Sequence, residues 1–228
     1  MKPSNVRSGL AAQMATCTAC VTLGRVALTV APFIKPASEF DIYSRWRPDN
    51  VMVAFVAESP PGTSEGYFYD PQPRPGYAEI LRRALFKLLS IPGEGTLAKL
   101  IAFKERGYML LDAVKCRCKK TGPQPPRSVT KLCGQTWLQT ELAEIGNPLR
   151  VCVLGKAALL ALSQVAGFGS LTRCAVTRNC GSVIKAGQYE VLIWPFPSDR
   201  NSHIYRDTLD TFKRFCHVTR GHEDGTRT

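Results

Sequence analysis

Residues 51–57 read Val-Met-Val-Ala-Phe-Val-Ala and run directly into Glu58-Ser59-Pro60-Pro61-Gly62. A continuous apolar run of that length fits a strand buried on both faces. The two prolines then forbid helix or strand from continuing. The same design returns three times along the chain. Residues 107–114 (GYMLLDAV) lead into Lys115-Cys116-Arg117-Cys118-Lys119-Lys120, and residues 149–155 (LRVCVLG) lead into a helix. Tyr189 to Trp194 opens into Pro195-Phe196-Pro197-Ser198. Between and after these runs, helical spacing of apolar residues marks 76–90, 129–145, 156–165 and 204–216. Buried strands alternating with amphipathic helices predict an α/β fold: a three-layer α/β/α sandwich around a mostly parallel four-stranded sheet. The 228 residues fit a single domain, 1–228, with an N-terminal arm (1–15) and a loose C-terminal tail (217–228). In such sheets ligands bind at the carboxyl ends of the strands. Three unusual loops stand there: 58–62, 115–120 and 195–198.

The charge narrows the partner. Thirty Lys and Arg against eighteen Asp and Glu give +12, with a pI near 9.5. That balance suits a polyanion, most often nucleic acid, although ribosomal and membrane-surface proteins are equally basic. No apolar run reaches the roughly 18 residues of a membrane span. The longest, Val21 to Ile34, is broken by Arg25 and followed by Lys35. Gln13 and several threonines dilute any signal-peptide centre. A soluble, cytoplasmic protein is expected, working as a monomer without a membrane or an obligate protein partner. Nine cysteines in a basic chain of that kind favour metal or cluster ligation over disulfides. Cys17 and Cys20 form a Cys-x-x-Cys, and Cys116, Cys118 and Cys133 gather around a Lys/Pro-rich loop. Cys152 reads as core, while Cys174, Cys180 and Cys216 read as buried or free thiols.

Taken in order, these loops resemble the uracil-DNA glycosylase superfamily, closest to its iron–sulfur branch, over roughly Cys17 to Cys216. The opening Cys17-Thr18-Ala19-Cys20 with Leu23 and Arg25 resembles the start of that branch. Ala57-Glu58-Ser59-Pro60-Pro61 resembles its first active-site loop, and Asp112-Ala113-Val114-Lys115-Cys116-Arg117 its middle strand end. Cys133 with Trp137-Leu138, the run Val151 to Ala158, and Phe196-Pro197-Ser198 resemble the remaining motifs. Two positions depart from the pattern: Asp112 replaces the Asn that reads the uracil edge, and Phe196 replaces the His of the last loop.

The resemblance implies a monofunctional DNA glycosylase that flips a nucleotide out and cleaves its N-glycosidic bond. Glu58 then takes the role of the carboxylate that stabilises an oxocarbenium-like sugar and handles the attacking water, against the alternative of a solvated loop glutamate. Ser59, Asp112, Phe68 and Phe196 would line the base pocket. An ionised Asp offers acceptors only, which suits the N4 amino group of cytosine and repels O4 of uracil. Asp112 therefore tilts the expected substrate to a modified cytosine, such as the glucosylated hydroxymethylcytosine of phage DNA that some members remove in defence. A protonated Asp112 would also serve uracil, and a salt bridge to Lys115 or Arg117 would take it out of the pocket. Phe68 is the expected stacking partner of the flipped base, with core packing as its alternative. Phe196 cannot donate to a departing base, which leaves Ser198, Arg200 or His203 as donors.

Ser198, Arg200, Asn201 and His203, with Lys115 and Arg117, would contact DNA. Cys17, Cys20, Cys116 and Cys133 match the ligands of a [4Fe–4S] cluster. On ligand type alone a structural zinc fits equally, and Cys118 competes with Cys116. Uracil repair is the alternative activity, and a non-catalytic DNA-binding protein or an RNA-associated basic protein is the alternative from another class.

Overall fold

The structure is a computed structural model that describes residues 7–17, 19, 42–61, 67–72, 77–116, 124–146 and 150–217. Strands β1 (Val53–Ala57), β2 (Tyr108–Asp112) and β3 (Arg150–Leu154) form its centre. Beside β3 lies β5 (Tyr189–Trp194), and β4 (Val183–Ala186) closes the edge, giving the order β2-β1-β3-β5-β4. Four strands are parallel and β4 alone is antiparallel. The expected sheet had four strands, and the fifth was overlooked for a physical reason. Strand β4 is four residues long with mostly accessible side chains, so it carries no apolar run. Gly187, at φ +58, starts the two-residue turn that returns it to β5.

Every residue of β1 and β2 is buried, so both sheet faces are covered. Around the sheet run α1 (Arg7–Thr16), α2 (Tyr77–Leu88), α3 (Gly95–Glu105), α4 (Arg127–Cys133), α5 (Gln139–Glu144), α6 (Lys156–Leu162), α7 (Ser202–Tyr205) and α8 (Leu209–Cys216). Phe55 of β1 packs against Phe103 of α3, Tyr108 of β2 and Phe212 of α8, with ring centroids 5.7–6.4 Å apart. Each such buried aromatic contributes about 1.5–3 kcal/mol of burial. Helix α3 was not foreseen because its apolar residues surround it: Leu100 and Phe103 face the core, whereas Leu97 and Ile101 are exposed. No single stripe results.

The helix expected over 129–145 exists as α4 and α5 joined by a π-helical turn, Gly134–Leu138. A Cβ on Gly134 would lie 2.3 Å from the Ala161 carbonyl oxygen. Glycine is therefore what lets this turn press against α6. Residues 1–15 were expected as an arm. In the described part of it, α1 buries Leu10 and Met14, and Met14 Sδ lies 3.4 Å from the Tyr43 hydroxyl. Most of the expected C-terminal tail lies outside the described residues.

Candidate active site

The parallel register aligns the ends of four strands. Ala57, the last residue of β1, pairs with Asp112, the last of β2. Beyond this pair the ladder continues, with Ala113 N–H donating to the Ala57 carbonyl (2.8 Å) and Val114 N–H to that of Glu58 (3.0 Å). Half-buried Glu58 is thus fixed by its main chain immediately past the end of β1. Across the sheet, Leu154 of β3 pairs with Trp194 of β5, and Gly155 N–H donates to the Trp194 carbonyl at 2.9 Å. Gly155, at φ +99, turns the chain into α6, and a Cβ there would sit 3.5 Å from Cβ of Phe196. Glu58, Asp112 and Phe196 therefore all stand at the carboxyl edge of one sheet, at or just past the ends of β1, β2 and β5. Pro60-Pro61 and Pro195-Phe196-Pro197 stiffen the two outer loops.

Asp112 is 7% exposed, and the Tyr67 hydroxyl donates to its Oδ2 at 3.0 Å. Burial and then the Asp112 charge push the Tyr67 phenol well above its usual range, so it stays a donor. Of the two salt bridges weighed for Asp112, the one with Lys115 is not formed by its carboxylate. The Lys115 ammonium is ion-paired with Glu141 and donates to the main-chain carbonyl of Asp112. Glu141 also accepts from the Tyr43 hydroxyl. Burial pushes the Glu141 carboxyl above its ordinary value, and the Lys115 ammonium pulls it only part of the way back.

Ser59 Oγ is enclosed and has no hydrogen-bond partner among the described residues. Phe196 is half-buried, and its carbonyl accepts from the Asn201 amide at 2.8 Å. The Ser198 carbonyl takes the Tyr205 hydroxyl (3.4 Å) and the Asn201 N–H (3.0 Å). Arg200 and His203 are exposed beside this loop.

Three of the expected site residues are held by the fold as follows. Phe68 does not face the site: it is 2% exposed, and its ring meets Phe86, Phe103 and Tyr69 at 5.0–5.6 Å, so core packing describes it. Lys115, 4% exposed, is enclosed and paired with Glu141. Asn201 donates its side-chain amide to the Phe196 carbonyl and so braces its own loop. Arg117, Cys20 and Cys118 lie outside the described residues.

Tyr67, Tyr43 and Glu141 went unrecognised in the sequence. Glu141 left a signal: with Leu138, Leu142 and Ile145 it sits on a buried helical stripe, where an acid requires a partner. Tyr67 left none, since Gly66-Tyr67-Phe68-Tyr69 does not say which ring turns to the strand end.

Cys17, Cys116 and Cys133 come from three parts of the chain towards one corner. Trp137 Nε1 lies 3.3 Å from Cys17 Sγ. Trp137 follows Cys133 by one helical turn and packs beside it, and Cys133 clusters with Val114, two residues before Cys116. Among the described residues no three His, Cys, Asp or Glu side chains are arranged as a metal site. Thiolates are donors that both zinc and iron–sulfur clusters take.

The family model of the uracil DNA glycosylase superfamily matches residues 44–218, well over half of the chain. This chain belongs to the uracil DNA glycosylase superfamily. The matched span contains all three strand-end loops of the site. Members of the uracil DNA glycosylase superfamily are DNA glycosylases, hydrolases that act on DNA. No curated protein matches the chain. Among the described residues no helix is long and apolar enough to cross a membrane.

Proposed function

We propose that this protein is a monofunctional DNA glycosylase that releases a modified cytosine and leaves an abasic site. The observation that carries the reading is the register of β1 on β2, which pairs Ala57 with Asp112 and so brings Glu58, the next residue, to the same carboxyl edge of the sheet. One carboxylate serves the sugar and the other serves the base. The nucleotide is extruded from the stack so that its base edge meets Asp112. An ionised Asp112, already accepting from Tyr67, accepts again from an exocyclic amino group.

As the C1′–N bond breaks, its electron pair leaves with the base and positive charge grows on the sugar. Glu58 stabilises that charge, orients water towards C1′ and takes its proton as the C–O bond forms. The departing base gains a proton. Phe196 supplies no donor for it, and the polar groups beside the loop are Ser198, Arg200 and His203. The net charge of +12 and the exposed Arg200 favour the DNA backbone.

In the same reading Cys17, Cys20, Cys116 and Cys133 hold a [4Fe–4S] cluster, with zinc on the same thiolates as the alternative. Such a group, when bound, staples the start of the chain to the loop after β2 and takes no part in hydrolysis. A cytoplasmic monomer acting on modified phage DNA is the setting that fits this substrate.

The test is a panel of duplexes carrying uracil, hypoxanthine, 5-hydroxymethylcytosine or its glucosylated form, each treated with protein and then alkali. Strand cleavage at a modified cytosine supports the reading. Release of uracil alone overturns the cytosine preference and leaves a repair enzyme, whereas DNA binding without any release leaves a binding protein.

A further inference from the structure

Asp112 is held by more than its place in the strand. A hydroxyl that donates to a carboxylate favours the charged form over the neutral acid. Tyr67 is 2% exposed and makes that donation to Oδ2 at 3.0 Å. Neighbouring Tyr69 is occupied elsewhere, donating to the Leu110 carbonyl (3.1 Å) and accepting from the Leu110 N–H (2.7 Å).

The segment that carries Tyr67 is clamped. Arg82 of α2, 3% exposed, donates through Nη1 to the carbonyl oxygens of Tyr67 (3.3 Å), Phe68 (3.3 Å) and Asp70 (2.7 Å). Burying an arginine to hold three carbonyls fixes where the Tyr67 hydroxyl points. Among the described residues, further ionisable groups near Asp112 come from neighbouring elements. Lys115 follows β2, Glu58 follows β1, and Glu141 of α5 is linked to Tyr43. The Lys115 charge is matched by Glu141, and the Tyr67 hydroxyl donates directly to the Asp112 carboxylate.

On the base-excision reading above, we infer that Tyr67 is a specificity-determining residue. It keeps Asp112 an acceptor-only group, so that the pocket takes a base presenting an amino group and rejects one presenting a carbonyl. The neutral acid would do the opposite, because its O–H can donate to O4 of uracil.

The test is Tyr67→Phe in the full-length protein, read in two ways. First, carbon NMR of aspartate-labelled protein follows the Asp112 carboxyl against pH; loss of the donated bond moves its protonation to higher pH. Second, release of glucosylated 5-hydroxymethylcytosine and of uracil is compared in otherwise identical duplexes. Loss of a hydrogen bond to a charged group lowers the ratio of the first to the second by about tenfold to a hundredfold. The cytosine-type activity of the variant also fails at a higher pH than that of the wild type as the solution is acidified.

If Tyr67→Phe does not fold, Asp112→Asn provides the second variant, and gain of uracil release with no pH dependence in the ratio supports the inference. An unmoved carboxyl titration in folded Tyr67→Phe overturns it. So does a moved titration with an unchanged base ratio. Should the wild type release neither base, the base-excision reading falls and the specificity role with it, while the titration still reports separately whether Tyr67 sets the charge of Asp112.

Discussion

Lys115 and Glu141 form an ion pair inside the protein, with side chains 4% and 1% exposed. The pair spans the end of β2 and helix α5, and its ammonium also holds the main-chain carbonyl of Asp112. Removing one partner strands the other charge out of water. Lys115→Met and Glu141→Gln should each lower the unfolding free energy by about 3–5 kcal/mol in denaturant titrations. The apolar double variant Lys115→Met/Glu141→Leu should recover much of that loss. A double variant no better than either single one would show that the cost comes from packing and not from the stranded charge.

Alkali should expose the same buried layer. Tyr43, Tyr67 and Tyr69 are pushed above the usual phenol range chiefly by burial. Burial also pushes Tyr108, whose hydroxyl donates to the Cys216 carbonyl at 2.9 Å, up to about 12. Each phenol binds its proton more tightly folded than unfolded. Its contribution to stability is therefore complete below the ordinary phenol value of about pH 10 and is lost as pH rises further. Spectroscopic titration should find four of the seven tyrosines silent until the protein unfolds in alkali. Titration of all seven in the folded state, near the ordinary phenol value, would contradict this packing.

Arg200 is exposed beside the Phe196–Ser198 loop. Its contact with DNA is expected at a phosphate, which carries no sequence information. Arg200→Ala should weaken duplex binding about equally for all substrates and reduce the slope of log K against log salt by about one. A change confined to one base would instead place Arg200 in the vacated stack.

The thiols should divide by position. Cys17→Ser and Cys133→Ser should lose bound iron and stability together, whereas Cys174→Ser, on a half-buried thiol, should lose neither. Cys216 is fully buried, so Cys216→Ser should destabilise by enclosing a hydroxyl while iron content stays unchanged. Iron analysis and visible absorption of anaerobically purified protein, alongside melting curves, separate these cases. One zinc per chain in a colourless protein would replace the cluster and keep the ligands.

Much of the architecture was legible because buried parallel strands leave apolar runs that nothing else explains. Val53–Ala57 and Tyr189–Trp194 announce themselves in this way. Exposed edge strand β4 and the all-round apolar α3 carry no comparable period, and both escaped. The positions of Glu58 and Asp112 in the fold were legible because the apolar runs of β1 and β2 stop at them. Phe68 and Tyr67 were not separable, since adjacent aromatics declare themselves only once α2 and α3 supply the core against which one of them packs. Lys115 looked like a DNA-facing base because its partner, Glu141, is twenty-six positions away in the sequence. Contacts made by tertiary packing leave little trace in local pattern.

The central claim is that the carboxyl edge of β1 and β2 is a hydrolytic site, and release of base from DNA tests it most directly. Wild-type protein and Glu58→Gln would be compared on a duplex carrying glucosylated 5-hydroxymethylcytosine, scoring alkali-labile abasic sites and the mass of the freed base. The wild type should release the base, and Glu58→Gln should do so about a hundred to ten thousand times more slowly while binding the duplex equally well. Equal release by the two proteins, or tight binding by the wild type with no base freed from any duplex of the panel, would contradict the account.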